Sequence, residues 1–226
     1  MNAARYAELS GLSLGAAGLA AAEATAAALD ILAPLAPAEP LGHYRYQIPE
    51  LGEGGACSLF GQLAEEPYDL RPILGGQTDA NDALLARLNA AVEAITGQTQ
   101  VDWLGLYPAK VNPAGEKVLV KFAYRGAPSR PEFPLTPEFA AISNNATVGL
   151  SGKGRLIQDV AAYLKEGGEY YTCDPKVQAE LCIPLYDEAG NTIGILDAEA
   201  FSPHYFDDEK LGVFVGLALW TATQVG

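Results

Sequence analysis

Glu180-Leu181-Cys182-Ile183-Pro184-Leu185-Tyr186 and Thr192-Ile193-Gly194-Ile195-Leu196-Asp197-Ala198-Glu199-Ala200 are two strand-like runs joined by Asp187-Glu188-Ala189-Gly190-Asn191. The link is of hairpin length and carries Gly and Asn where positive φ is wanted, so the two runs predict an antiparallel pair. Beyond them, Asp207, Asp208 and Glu209 form an acidic first turn, followed at helical spacing by Leu211, Phe214, Val215, Ala218 and Leu219. Upstream, Val101–Tyr107 and Lys117–Tyr124 read as strands around a turn at Asn112–Gly115. From Asp79, the residues Leu84, Leu85, Leu88, Val92 and Ile95 mark one face of a helix that Gly97 is expected to stop. Thr136-Pro137-Glu138 reads as a cap and first turn, and Gly149, Gly152 and Gly154 as a loop before Leu156–Val160. Strands adjacent in sequence and linked by short turns give an α+β fold with a central antiparallel sheet flanked by helices, not a doubly wound parallel sheet.

The first third has a different texture. Ala4–Leu32 reads as one or two Ala-rich helices, with Gly11, Gly15 and Gly18 as breaks or close-packing points. Leu12–Ala22 resembles a secretory apolar segment, but Glu8 and the weak positive charge oppose that reading. Glu23 and Asp30 also interrupt the run before the roughly 20 apolar residues of a membrane span accumulate. From Ala33 to Gly76, repeated prolines and a glycine cluster at 52, 54 and 55 read as irregular connection. The expected organisation is a helical, Pro-rich extension over 1–79 and a domain over 80–226, the extension serving as a dimer contact or as a cap on the sheet.

Composition narrows the function classes. Among 226 residues, 49% are hydrophobic, enough for a core, so the chain reads as a soluble globular protein. Its 28 acidic residues outnumber 14 basic ones, giving −14, a charge that repels nucleic acid and anionic membranes. Three cysteines without a CxxC make neither a disulfide framework nor a zinc site, which suits a reducing cytoplasm. His43 and His204 are too few for His-based metal centres, and no cofactor is implied.

The candidate chemistry lies late in the chain. Alternation puts Ile193, Ile195, Asp197 and Glu199 on one side of a strand, so two carboxylates continue an apolar stripe. Either that face opens into a polar pocket or the strand end emerges into solvent. Glu180 joins them if the hairpin register sets it beside Glu199. Cys173, in a turn-rich approach with Asp174, is a structural thiol or a nucleophile. Nearby acids raise a thiol's pKa, which fits attack only if an acid first protonates the substrate. Cys57 reads as a small residue in a packed loop, and Cys182 as core. Trp103 and Tyr107 share a strand face, as pocket wall or as plain core. Val148–Gly154 fails the phosphate-loop pattern at Thr147 and Gly154, which leaves a ligand-binding turn or a surface turn.

Val101–Tyr107, the loop around Gly149–Gly152, Gln158-Asp159-Val160, Cys173-Asp174 with Glu180 seven residues after the cysteine, Ile193–Glu199 and Phe206–Glu209 occur in that order. Together they resemble a GAF domain of the free methionine-(R)-sulfoxide reductase family over about residues 80–226. The resemblance implies a PAS-like GAF fold, Cys173 as the thiol that attacks the sulfoxide sulfur, and Glu180, Asp197 and Glu199 as acids that hold the amino group and protonate the oxygen. Trp103, Tyr107, Ser151 and Asp174 would line the substrate site. Three departures stand out: Glu199 replaces the usual aspartate, Ser151 occupies the position of one recycling cysteine, and the further recycling cysteine expected upstream is absent between Cys57 and Cys173. Cys182 is the nearest candidate resolving thiol. A nucleophile oxidised to sulfenic acid needs a second thiol, internal or external, to be restored. The expectations are therefore a thiol-dependent reductase of free L-methionine (R)-S-oxide served by a thioredoxin-type reductant, or a non-catalytic GAF sensor of a small zwitterionic ligand, in either case with a homodimer as a candidate assembly.

Overall fold

The computed structural model describes residues 1–32, 43–51, 58–168, 170 and 174–226. Cys57 and Cys173, and the expectations attached to them, lie outside the described residues.

Two N-terminal helices, α1 (Ala3–Ser10) and α2 (Ala16–Leu32), precede four short strands: β1 (Arg45–Tyr46), β2 (Pro49–Leu51), β3 (Ser58–Leu63) and β4 (Tyr68–Asp69). A single-turn α3 (Arg71–Leu74) leads into α4 (Asp79–Thr99). The expected irregular connection is thus partly strand, β1 pairing with β4 and β2 with β3. Then come β5 (Trp103–Val111), β6 (Lys117–Val120), β7 (Ala123–Arg125), β8 (Glu132–Pro134), α5 (Pro137–Ala140), α6 (Asn144–Ser151), β9 (Arg155–Ile157) and α7 (Val160–Lys165). The hairpin β10 (Ala179–Tyr186) and β11 (Thr192–Ala200) and the terminal α8 (Asp208–Val225) complete the chain. The main sheet runs β8-β6-β5-β11-β10-β9, with β7 also on β5, and every pairing in it is antiparallel. The fold class is therefore α+β. Among the described residues, no helix is long and apolar enough to cross a membrane.

Several local expectations give way to tertiary context. Helix α4 runs through Gly97 and stops at Gln100, which takes the left-handed conformation and donates its amide to the Thr96 carbonyl. Gly149 lies inside α6 instead of in a loop, and Gly152 supplies the left-handed cap. The expected strand Lys117–Tyr124 divides into β6 and β7. Ala109 of β5 faces Leu119 while Leu106 faces Ala123, so three steps on one strand meet four on the other. That one-residue slip turns Lys121 inward, where it is fully buried. A second irregularity, between Leu185 and Tyr186, leaves Ile193 without a register partner. Ile193 then packs with the helices, whereas Ile195 packs on the other face, so the apolar stripe leading to the carboxylates begins at Ile195.

The sheet separates two cores. One face packs against the helices through residues such as Leu104, Leu106, Leu181, Ile183 and Leu196. The other carries a smaller cluster of Trp103, Tyr107, Leu119, Val148, Cys182 and Ile195. Residues 1–32 belong to the helical layer: Ala3, Tyr6, Ala22 and Leu29 share its core, and the buried Tyr6 hydroxyl donates to the Pro184 carbonyl at 2.6 Å. The N-terminal helices thus cap the helical side of the sheet, sharing a core with residues beyond 79. Asp208 caps the start of α2 across the fold, accepting from the amides of Gly15 at 2.6 Å and Gly18 at 2.8 Å. Where α2 meets α8, a Cβ on Gly212 would lie 2.1 Å from the Gly18 carbonyl oxygen. Gly212→Ala is accordingly expected to destabilise the fold. Overpacking costs about 1–3 kcal/mol, against the about 1 kcal/mol that alanine offers in an unconstrained helix, and an urea titration measures the difference. A rise in stability would mean that the two helices are not held at this distance.

Candidate active site

On the face opposite α2, α4 and α8 the hairpin brings the acids together. Glu180 lies directly opposite Glu199, and Cys182 opposite Asp197, so all four side chains project to one side. Strand β5 continues the surface: Glu199 faces Trp103, Asp197 faces Gly105 and Ile195 faces Tyr107. Gly105 is required by this arrangement. A Cβ there would approach the Trp103 ring to 2.3 Å and the Tyr107 ring to 2.9 Å, which would force apart two aromatics whose centroids are 6.2 Å apart.

Above this floor lies a cavity of about 430 Å³. Its lining includes Trp103, Tyr107, Phe133 and Phe139 as apolar wall, and Glu180, Asp197, Glu199 and Asp174 as acids. The roof is the β7–β8 connection, tied down from below. Trp103 Nε1 donates to the Ala127 carbonyl at 3.0 Å, and the Tyr107 hydroxyl donates to the Arg130 carbonyl at 3.3 Å. The buried Lys121 ammonium donates to Ser129 O at 2.8 Å and Oγ at 2.7 Å while sitting 3.9 Å above the Tyr124 ring. Aromatic side chains with a polar tip suit this position, because the ring walls the cavity and the tip holds the roof. Of the two readings open for Trp103 and Tyr107, wall and core, both apply: each is buried, and each also lines the cavity.

Helix α6 closes one end. Ser143 caps it by accepting from the Ala146 amide, and the next two residues turn inward. Asn144 Nδ2 donates to Glu180, and Asn145 Nδ2 donates to Asp197 Oδ2 at 2.9 Å. Glu180 and Asp197 are 4% and 5% exposed, whereas Glu199 is half-buried, so solvation differs among the acids. Burial raises the Glu180 carboxyl above the ordinary carboxylate range. Hydrogen bonds from Tyr170 and Asn144 and the positive charge of Arg155 oppose that rise without cancelling it. Glu180 is thus poised to carry a proton where an exposed glutamate would have lost it.

Ser151 ends α6 on the exposed surface, accepts from the Lys153 amide at 3.2 Å, and does not line this cavity. Helix α6 runs through Gly149 to Ser151, so the residue expected in the substrate wall sits at the end of that helix. Cys182 is wholly buried in the floor. Burial first, then the charges of Asp197 and Glu180, push its thiol well up. A resolving thiol attacks as thiolate, so this setting opposes that role. Among the described residues, no group of His, Cys, Asp and Glu side chains is arranged to hold a metal. Sequence reasoning passed over Asn144, Asn145, Tyr170, Arg130 and Gly105. A glycine between two aromatics inside a strand was the one local signal, since the asparagines find partners 36 and 52 residues away.

No protein-family model matches the sequence, and no curated protein matches it. Solved structures do. The chain is similar to the type II free methionine-R-sulfoxide reductase of Thermoplasma acidophilum, with TM-score 0.55 and 21% identity over 65% of this chain and 95% of that one. It is similar to the free methionine-R-sulfoxide reductase of Neisseria meningitidis, solved with its substrate, at TM-score 0.51 and 20% identity, covering 63% of this chain and 77% of that one. A GAF domain region from a Geobacter sulfurreducens protein aligns at TM-score 0.54 and 16% identity, over 65% of this chain and 95% of that one. The fold is that of a GAF domain, and its structural neighbours include free methionine-R-sulfoxide reductases. At such identities the likeness concerns the fold.

Proposed function

We propose that the protein reduces free L-methionine (R)-S-oxide to methionine at this cavity, with Cys173 as nucleophile. The observation that carries the reading is the convergence of Glu180, Asp197 and Glu199 on one aromatic-walled cavity, with Glu180 biased toward its protonated form by burial. The ligand's ammonium pairs with the carboxylates of Asp197 and Glu199, and its methyl sulfoxide end packs on Trp103, Tyr107 and Phe133. Glu180 donates its proton to the sulfoxide oxygen, which makes the sulfur electrophilic. The Cys173 thiolate attacks that sulfur to form an S–S-bonded intermediate, whose S–S bond and substrate S–O bond then break as the protonated oxygen passes to the cysteine sulfur as hydroxyl. The products are methionine and a Cys173 sulfenic acid, so sulfur of the substrate is reduced by two electrons and sulfur of the enzyme is oxidised by two. Two equivalents of an external thiol then return the cysteine to its thiol, releasing water and a disulfide. Asp174, the next residue after Cys173, lines the cavity, which supports this assignment of the nucleophile.

A second reading has its own support. Ser151 stands where a recycling cysteine is expected, and Cys182 is buried with a raised thiol, which favours a GAF sensor that binds the same kind of ligand without turnover. One assay separates them: incubation with methionine (R)-sulfoxide and dithiothreitol, then with a thioredoxin system, measuring free methionine. The reductase reading expects methionine from the R epimer and none from the S epimer. Saturable binding without methionine under either reductant would leave the sensor.

A further inference from the structure

The cavity takes part of its lining from the chain before α4. Pro49 of β2 and Gly61, Gln62 and Leu63 of β3 stand in its wall, whereas every other described lining residue lies at 102 or beyond. The ladder between these two strands is irregular. Pro49 faces Leu63 and Leu51 faces Ser58, so two steps along β2 meet five along β3, and residues 59–62 bulge opposite Glu50. Gly61 takes the left-handed region at φ +78°, and a Cβ there would meet nothing within 4 Å, so the glycine serves the backbone turn and not a close contact. Two of the three residues that β3 gives to the cavity, Gly61 and Gln62, thus sit in the bulge.

This hairpin is held at its base and bare further out. At the base, the Tyr46 hydroxyl donates to the carbonyl of Lys121, the residue whose ammonium holds the roof through Ser129, at 2.7 Å. The Tyr44 hydroxyl donates to Asp82 at 2.7 Å, and the Tyr68 hydroxyl donates to Glu132. Further out, Leu51, Leu59 and Leu63 are 40%, 40% and 53% exposed, and Ile142, which shares the cavity wall with Leu63, is 60% exposed. Apolar side chains that border a cavity and still stand in water lose that exposure when the strand pair moves inward, which drives closure. We propose that the β2–β3 hairpin is the cover of the ligand cavity: it pivots on its tyrosine-held base and folds Gln62 and Leu63 over a bound ligand, so that release requires the hairpin to lift. The carboxylates and aromatic walls choose the ligand, and the cover sets how long it stays. Closure does not depend on what the ligand is; probing it with methionine (R)-sulfoxide rests on the function proposed above.

Gly61→Val and Leu63→Ser test the cover on the full chain. Valine disfavours the left-handed conformation and straightens the bulge, with open space for its Cβ; serine removes the apolar contact. Both positions are exposed, so melting temperatures should stay within about 2 °C of the wild type. Stopped-flow binding of L-methionine (R)-sulfoxide should show release at least about tenfold faster in each variant, the share expected of one buried leucine side chain, with association changed less than about threefold. A second measurement needs no ligand. Trp103 is 5% exposed in the cavity wall, and acrylamide quenching of its fluorescence, read in a Trp220→Phe background, should increase in both variants. Unchanged release in both variants overturns the cover. Binding without turnover removes the reductase activity and leaves the cover intact. Where methionine (R)-sulfoxide does not bind at all, the proposed function falls and quenching decides: an increase keeps the cover, and no change removes it. Should neither variant fold, hydrogen exchange of the wild type decides, slower exchange of residues 59–63 at saturating ligand being expected and unchanged exchange overturning the cover.

Discussion

Cys173→Ser is expected to abolish methionine formation, by about 10³-fold or more, while leaving the affinity for methionine (R)-sulfoxide within about threefold of the wild type. The two halves follow from different atoms. On the proposed reading ligand affinity comes from the carboxylates, the aromatic wall and the roof, and the substitution changes none of those residues. Turnover needs a sulfur that accepts oxygen, and a serine hydroxyl cannot be oxidised to the equivalent of a sulfenic acid. Without an added thiol, the wild type should release one methionine per chain and stop, with a sulfenic acid at Cys173 that dimedone traps and mass spectrometry locates. Undiminished turnover by Cys173→Ser would refute the assignment of the nucleophile. Cys182 is a poor substitute, because its thiol is wholly buried and held protonated.

Glu180→Gln separates chemistry from stability, since its two effects have opposite sign. Loss of a positioned general acid costs about 10²–10⁴ in kcat, and glutamine keeps the shape and the hydrogen bonds to Tyr170 and Asn144 while losing the transferable proton. Stability moves the other way. Burial raises the Glu180 carboxyl in the folded chain, so between the unfolded glutamate pKa, about 4.3, and the folded value the native state binds more protons than the unfolded one. Native stability therefore falls as pH rises through that interval, and the cost is fully present above the folded value. Glutamine has no such cost. Thermal melts should show Glu180→Gln more stable than the wild type at pH 8, each kcal/mol appearing as about 2–4 °C in a chain of this size, with the difference closing near pH 4. The wild-type kcat should decline as Glu180 loses its proton with rising pH. A Glu180→Gln variant with normal kcat would exclude Glu180 as proton donor; melts with no pH-dependent difference would mean that the carboxyl is solvated in solution.

Much of the hairpin was legible because its information is local. Alternating apolar residues around a Gly-Asn link define two strands and bring Glu180 opposite Glu199, and acidic residues at 207–209 mark the start of α8. Errors arose where a partner far along the chain overrode a local preference. Gly97 and Gly149 read as breaks, yet packing and hydrogen bonding carry both helices through them. Ile193 read as sharing a face with Ile195, and one irregularity in the ladder sends it to the helices. For the N-terminal helices, read as a dimer contact or as a cap on the sheet, Asp208 and the Gly18–Gly212 contact bind α2 to α8 on the helical side of the sheet.

Taken by itself, the sequence determined the α+β class, the hairpin, the acidic candidates and the resemblance to a GAF-fold reductase, because periodicity and turn chemistry act over a few residues. Only the tertiary structure decided which acid is pushed toward its protonated form by burial, which residues close the cavity and where its one described cation sits. Burial, pKa and cavity shape are sums over neighbours from β5, α5, α6, β10 and β11, and no stretch of chain contains them. Glu180, Asp197 and Glu199 are three similar carboxylates in the sequence; depth beneath Asn144, Asn145 and Tyr170 is what makes them different.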